Sequence, residues 1–236
     1  MKKLIYILFL LFIFHESIAQ KVRLGFDLGY GTYQMSQLKE FQEELIDLSP
    51  VKSVQIVEQF PAYFNYSANL DYYQTSRSLL LGLNLTYFTT GGRNHVKDYS
   101  GEYKLDMPLR GYRIGIQLRS EMLGNEKWKL YNKVKIGGIL TSLELEESIV
   151  VYDEQSDLPG YSFSSEGIFI EPSLGLSYEI VKKIHFDLSF GYQLDASTGL
   201  YLSGFKGSFI QNSSNDKVSV NWSGFRTYLG VAYDIF

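Results

Sequence analysis

Cysteine is absent from this 236-residue chain, which removes disulfide frameworks, Cys-based metal sites and thiol nucleophiles together. Surplus positive charge is lacking too. The 22 Lys and Arg are outnumbered by 26 Asp and Glu, whereas a nucleic-acid surface calls for clustered excess base. The longest apolar run, Leu4 to Phe14, ends at His15-Glu16, short of the ~18 or more residues that a membrane-spanning helix requires. No Pro-, Ser- or Gly-rich linker divides the chain, so its length reads as one domain.

What is present begins with an export signal. Met1-Lys2-Lys3 is a positive start, the apolar run follows, and Ser17-Ile18-Ala19 puts small residues where a signal peptidase reads. This predicts a signal peptide over 1–19, cleaved between Ala19 and Gln20, with residues 20–236 as the folded domain. Cleavage removes Lys2, Lys3 and Glu16, which takes the net charge from −4 to −5.

The mature chain carries eight segments in which apolar and polar residues alternate with period two, the signature of strands with one apolar and one polar face. Between Ile184 and Asp195, Ile184, Phe186, Leu188, Phe190, Tyr192 and Leu194 share one face, and His185, Asp187, Ser189, Gly191, Gln193 and Asp195 the other. Similar alternation runs over Val22 to Tyr33, Val54 to Tyr73 (Phe60 and Ala62 placed on the apolar face), Leu79 to Tyr87, Lys127 to about Val150, Ile168 to Glu179 and Val218 to Phe236, which starts with Val218, Val220 and Trp222. In the segment from Glu102 to Met122 the apolar parity switches. Leu105, Met107 and Leu109 come first, then Tyr112, Ile114, Ile116 and Leu118, which predicts a β-bulge at Arg110-Gly111. Closing such strands into a ring removes the unpaired edges a membrane forbids. The expected fold is therefore all-β: an eight-stranded antiparallel transmembrane β-barrel.

Connections alternate in length, as in a barrel with short periplasmic turns and longer outer loops. Short links fall at Thr75 to Ser78, Gly124 to Glu126 and Val181 to Lys183; long ones at Gln34 to Ser53, Thr90 to Gly101, Val151 to Ser162 and Ser197 to Lys217. Within the first long loop, Leu38, Phe41, Leu45 and Leu48 form one helical stripe that stops before Pro50. A short amphipathic helix packed on the barrel rim is expected there.

The signal ending Ile18-Ala19-Gln20, the Gly- and Tyr-rich strands and the terminal Tyr233-Asp234-Ile235-Phe236 resemble the small, porin-like outer-membrane β-barrel proteins common in Bacteroidetes. The resemblance implies residence in the cell outer membrane of a Gram-negative bacterium, contact with outer-membrane lipid and with the barrel-assembly machinery, and possible protein partners at the outer loops. It implies no cofactor. Such barrels include adhesins, gated pores, parts of secretion machines and lipid-modifying enzymes, so resemblance gives location and not activity.

An eight-stranded barrel is just wide enough for side chains to fill. The inward faces place Arg113, Arg119, Lys129, Lys133 and Lys135 opposite Glu171, Glu179, Asp187 and Asp195, with Arg23, Asp27, Arg226 and Asp234 near the seam. These predict a paired network plugging the lumen, because pairing offsets the desolvation that a lone buried charge suffers. A narrow gated ion path lined by the same groups is the alternative. His95, Asp98 and Ser100 in an outer loop could suit a small barrel acyltransferase or deacylase, but nothing orients them as a triad demands. The chain is expected not to be an enzyme. Gly29-Tyr30-Gly31 lacks the third glycine of a nucleotide loop and reads as lumen space. A secreted soluble barrel with its apolar face inward would show the same alternation; polar faces rich in Gly and Ser favour a crowded lumen instead.

Overall fold

A computed structural model describes residues 20–49, 51–74, 79–99, 101–152, 154–205 and 207–235. In chain order the elements are β1 (Gln20–Gly31), α1 (Ser36–Asp47), β2 (Gln55–Gln59), β3 (Tyr63–Gln74), β4 (Leu79–Lys97), β5 (Gly101–Gly124), β6 (Trp128–Val151), β7 (Glu154–Asp157), β8 (Tyr161–Val181), β9 (Ile184–Ser197), β10 (Tyr201–Leu202) and β11 (Gly224–Asp234). Eight of them, β1, β3, β4, β5, β6, β8, β9 and β11, pair antiparallel with the next around a ring. The ring closes from Arg23↔Asp234 to Gly31↔Arg226, first strand on last. The short β2, β7 and β10 are appended to β4, β6 and β8.

Alternation sets the faces. Leu28, Leu229, Leu188, Leu176 and Leu130 are register neighbours around the wall, and most outward residues at this level are exposed and apolar. Open apolar surface on this scale means a hydrocarbon environment and not water. Tyr30, Phe64, Tyr87, Tyr112, Tyr192 and Phe225 form contacting ring pairs near its outer edge, the place of an aromatic girdle.

Above that girdle the two faces exchange character. On β5 the outward positions become Arg110, Pro108, Asp106 and Lys104, while Leu109, Met107 and Leu105 are buried at 0%, 0% and 7% exposure. The register with β4 runs without interruption from Leu79↔Ser120 to Lys97↔Glu102, so the expected bulge at Arg110-Gly111 does not exist. The strand keeps its parity, and its surroundings change instead. Its irregularity lies lower, between Glu121 and Leu123.

Long strands also replace expected loops. β4 and β5 continue as a hairpin through the segment read as the loop from Thr90 to Gly101, and β6 continues to Val151 and turns back as β7. Phe60, expected on the lipid face, is 1% exposed and turned inward at φ +46°. Val218, Val220 and Trp222, read as the start of the last strand, precede β11 and sit in the interior.

The apolar core therefore lies at the outer end of the barrel. Leu38 and Phe41 of α1 pack with Met35, Phe60, Phe88, Met107, Leu109, Leu143, Phe169, Val218, Val220 and Trp222. The helix has the expected stripe except at its end: Leu45 packs against the core from a half-buried position, and Leu48 is 78% exposed. The predicted signal peptide, the Thr75 to Ser78 turn, Pro50, Ser100 and Phe236 lie outside the described residues.

Candidate functional site in the barrel lumen

Small residues on the inward faces make room for large ones. A Cβ at Gly175 would lie 2.2 Å from the Tyr131 ring, and one at Gly82 would lie 2.0 Å from a carboxylate oxygen of Asp71. Into this space the strands send charged, amide and aromatic side chains in tiers.

At the periplasmic end Arg23 of β1 meets its register partner Asp234 of β11, Nε to Oδ1 2.6 Å. His185 of β9 lies 3.2 Å from both, through its Nε2. The next tier crosses the lumen: Arg119 of β5 donates to Asp187 of β9 at 3.0 Å, and its guanidinium stacks 3.6 Å from the Tyr131 ring centre. A cation over an aromatic face gains electrostatic attraction that strengthens away from water.

Glu171 of β8 centres the third tier. Arg113 of β5 donates to its Oε2, Tyr228 donates to the same oxygen at 3.0 Å, and Lys135 Nζ lies 3.2 Å from Oε1. Arg113 also donates to Gln193 (2.7 Å), Thr86 (3.2 Å) and the Tyr228 hydroxyl (3.1 Å), and lies 4.5 Å from the Phe169 ring centre. Arg113, Lys135 and Glu171 are all buried. Removing one partner of such a set strands the others, at several kcal/mol.

The roof is apolar. The Trp222 ring packs edge-on against Phe88 and Tyr33, centres 4.4 and 5.0 Å apart, and its Nε1 donates to Thr141 at 2.9 Å. Arg226 ties this roof down by donating to the carbonyls of Trp222, Thr32 and Phe225.

The thirteen charged positions expected in the lumen are not all joined by direct ion pairs, although Asp27 is linked to Arg113 through Asn69, Asn84 and Thr86, and Arg226 through Gln193. Arg23 with Asp234, Arg119 with Asp187, and Arg113 and Lys135 with Glu171 are brought together. Asp27 accepts from Asn69 at 2.8 Å, and Lys133 lies between the Tyr131 and Tyr228 rings. Lys129 pairs with Glu121 of the adjacent strand, and it and Glu179 line a cavity of about 480 Å³ open at the periplasmic mouth. Asp195 is held by the Ser223 and Ser197 hydroxyls and Arg226 by carbonyls. Asp71, Gln193, Tyr131 and Tyr228 complete the tiers. Their inward parity was legible, but charge alone does not point to amide and phenol partners.

His95 is on strand β4 and not in a loop. Its Nε2 lies 3.0 Å from Glu102, which also binds Lys97; these hydrogen bonds hold the Glu102 carboxyl below its ordinary value. Asp98 accepts from the Gly101 amide, and Ser100, the third residue of that expectation, lies outside the described residues. Among the described residues no group of three or more His, Asp or Glu is placed to hold a metal.

No family model matches the chain, and no curated protein does. Among solved structures, a major outer membrane protein from Thermus thermophilus is similar over 92% of this chain and 100% of its own, at 10% identity and TM-score 0.52. The outer membrane protein OprG from Pseudomonas aeruginosa is similar over 92% and 95%, at 13% identity and TM-score 0.41. The outer membrane protease OmpT from Escherichia coli is similar over 92% and 96%, at 9% identity and TM-score 0.40. The likeness is one of fold, that of outer-membrane β-barrels. It also corrects an expectation: a protease is built on such a barrel, so the sequence reading that this chain is not an enzyme does not stand.

Proposed function

We propose that this chain is an integral outer-membrane β-barrel with a structural or interaction role, its lumen plugged and its outer extension turned toward partners. One observation carries the reading: the Arg113–Glu171–Lys135 cluster fills the barrel beneath a roof of Trp222, Phe88 and Tyr33. A lumen blocked first by paired charge and then by packed rings offers neither a wet path nor room for a solute.

Export through a cleaved signal peptide over 1–19, and assignment to the Bacteroidetes type, rest on the sequence features Ile18-Ala19-Gln20 and Tyr233-Asp234-Ile235-Phe236. The partners in this reading are outer-membrane lipid, the barrel-assembly machinery during biogenesis, and a protein partner at the outer loops. The polar outward residues above the girdle are paired: Arg93 with Asp106 and Arg110 with Glu144 across neighbouring strands, and Lys104 with Asp106 along β5. They give that extension a water-compatible surface on which such contact could form.

The test is reconstitution in planar bilayers. A plugged barrel gives no steady conductance, and Trp222→Ala with Arg113→Ala opens one. A steady, ion-selective current through the unaltered protein would replace this reading with the narrow gated path.

A further inference from the structure

Glycine within a strand weakens it, and it is expected where something else needs the space. Gly137 fits, since a Cβ there would lie 2.1 Å from the Ile114 carbonyl oxygen. Its neighbour Gly138 points outward, and a Cβ there would meet nothing nearer than the Gly167 carbonyl oxygen at 3.8 Å. No bulge explains it, because the register Ile114↔Gly138↔Ile168 falls within continuous stretches of both ladders.

Two further features coincide with it. Ile168 is flanked on its other side by Ala196, so one isoleucine stands between two positions without bulk, above the fuller row Ile136–Ile170–Leu194. Just below, Pro172 has no amide to donate, and the β8–β9 ladder passes from Ile170↔Leu194 to Ser173↔Gly191 without pairs between. Beside these positions a groove of about 600 Å³ opens in the barrel wall, with Ile136, Ile168, Ile170, Leu194 and Ala196 as sides and Phe169 and Gly137 beneath; Gly138 borders it as the register partner of Ile168. Asp195 also lines it, but its carboxylate is held by Ser223 and Ser197.

The groove lies at the outer edge of the apolar belt. The next outward residue on β8, Glu166, is exposed and polar, and its partner on β6 is Leu140. At that depth the surrounding medium is hydrocarbon, and a concave apolar surface there is filled by chains of the bilayer.

We propose that this groove is a seat for one acyl chain of an outer-leaflet lipid, recognised through the shape of the dent that Ala196 lines and Gly138 borders. The inference rests on the reading of the barrel as membrane-spanning. Because tails are as apolar as the wall, selectivity comes from packing and not from a hydrophobic driving force.

The full-length protein in proteoliposomes containing a phosphatidylethanolamine with a photoactivatable diazirine on one acyl chain provides the test, crosslinked peptides being mapped by mass spectrometry. Crosslinks should concentrate on 136–138, 168–170 and 194–196 over the opposite wall at Leu28, Leu70 and Leu83. Gly138→Leu should reduce them to the level of that wall, with Ala196→Leu as an independent variant and heat-shifted electrophoretic mobility as the check on folding. An even distribution, no response to either variant, or protein–protein crosslinks through the groove, which would make a second copy the occupant, each overturns the proposal. Absence of lipid crosslinks anywhere on the chain would instead mark failure of the membrane reading.

Discussion

Glu171 accepts from Arg113 and Tyr228 and faces Lys135, so one carboxylate compensates two buried cations. Glu171→Ala leaves both uncompensated and should lower stability by about 3 to 5 kcal/mol, read as a shifted denaturant midpoint in detergent or vesicles; an unchanged midpoint would count against the cluster as a structural plug. Outside the membrane, burial alone would raise the Asp106 carboxyl, but hydrogen bonds from Arg93 and Lys104 outweigh it and hold the group below its ordinary value. A depressed folded-state value means a stabilising contribution that is present above the unfolded value and lost as pH falls through the folded one. A carboxyl titration by NMR should therefore place Asp106 below the ~3.9 of a free aspartate, and a midpoint at or above that would contradict the pairing. At this scale the sequence was informative about direction: parity alone put Arg113 and Glu171 on inward faces. It could not show that Arg226 ends on carbonyls or Asp195 on hydroxyls, because those partners are fixed by how the last loop folds into the barrel mouth.

The strands are longer than the bilayer requires, and this explains where sequence reading failed. A transmembrane strand needs about 9 to 11 residues, yet β5 and β6 each run for 24. Period two reports which residues share a face but not which face meets water, so the exchange of medium above Tyr112 imitated a slipped register. Met107 tests the burial that replaces the bulge. Buried in the core, it should not accept a charge, and Met107→Asp should cost several kcal/mol; an unchanged denaturant midpoint would contradict that burial. On the lipid face, Leu229→Arg should destabilise the barrel by about 2 to 4 kcal/mol near the midplane. A tolerated arginine there would favour a soluble barrel. The helix stripe of α1 was legible for the same reason as the strands, since Leu38 and Phe41 recur at helical spacing.

As a whole, the molecule joins two solutions to burial in one continuous sheet. Within the lipid belt it is apolar outside and polar inside; above the belt it is polar outside and apolar inside, with α1 and the 218–222 segment filling the mouth. The central claim is a barrel that crosses the outer membrane with its lumen closed, and the lack of cysteine makes a direct measurement clean. Single cysteines placed at Tyr99 on the outer hairpin tip, Asn125 in the opposite turn and Thr86 in the lumen would be exposed to a membrane-impermeant maleimide on intact cells. The account predicts labelling of the first in intact cells, of the second only after the outer membrane is permeabilised, and of the third in neither condition. Labelling at Asn125 in intact cells, or at Thr86 as fast as at Tyr99, would contradict it.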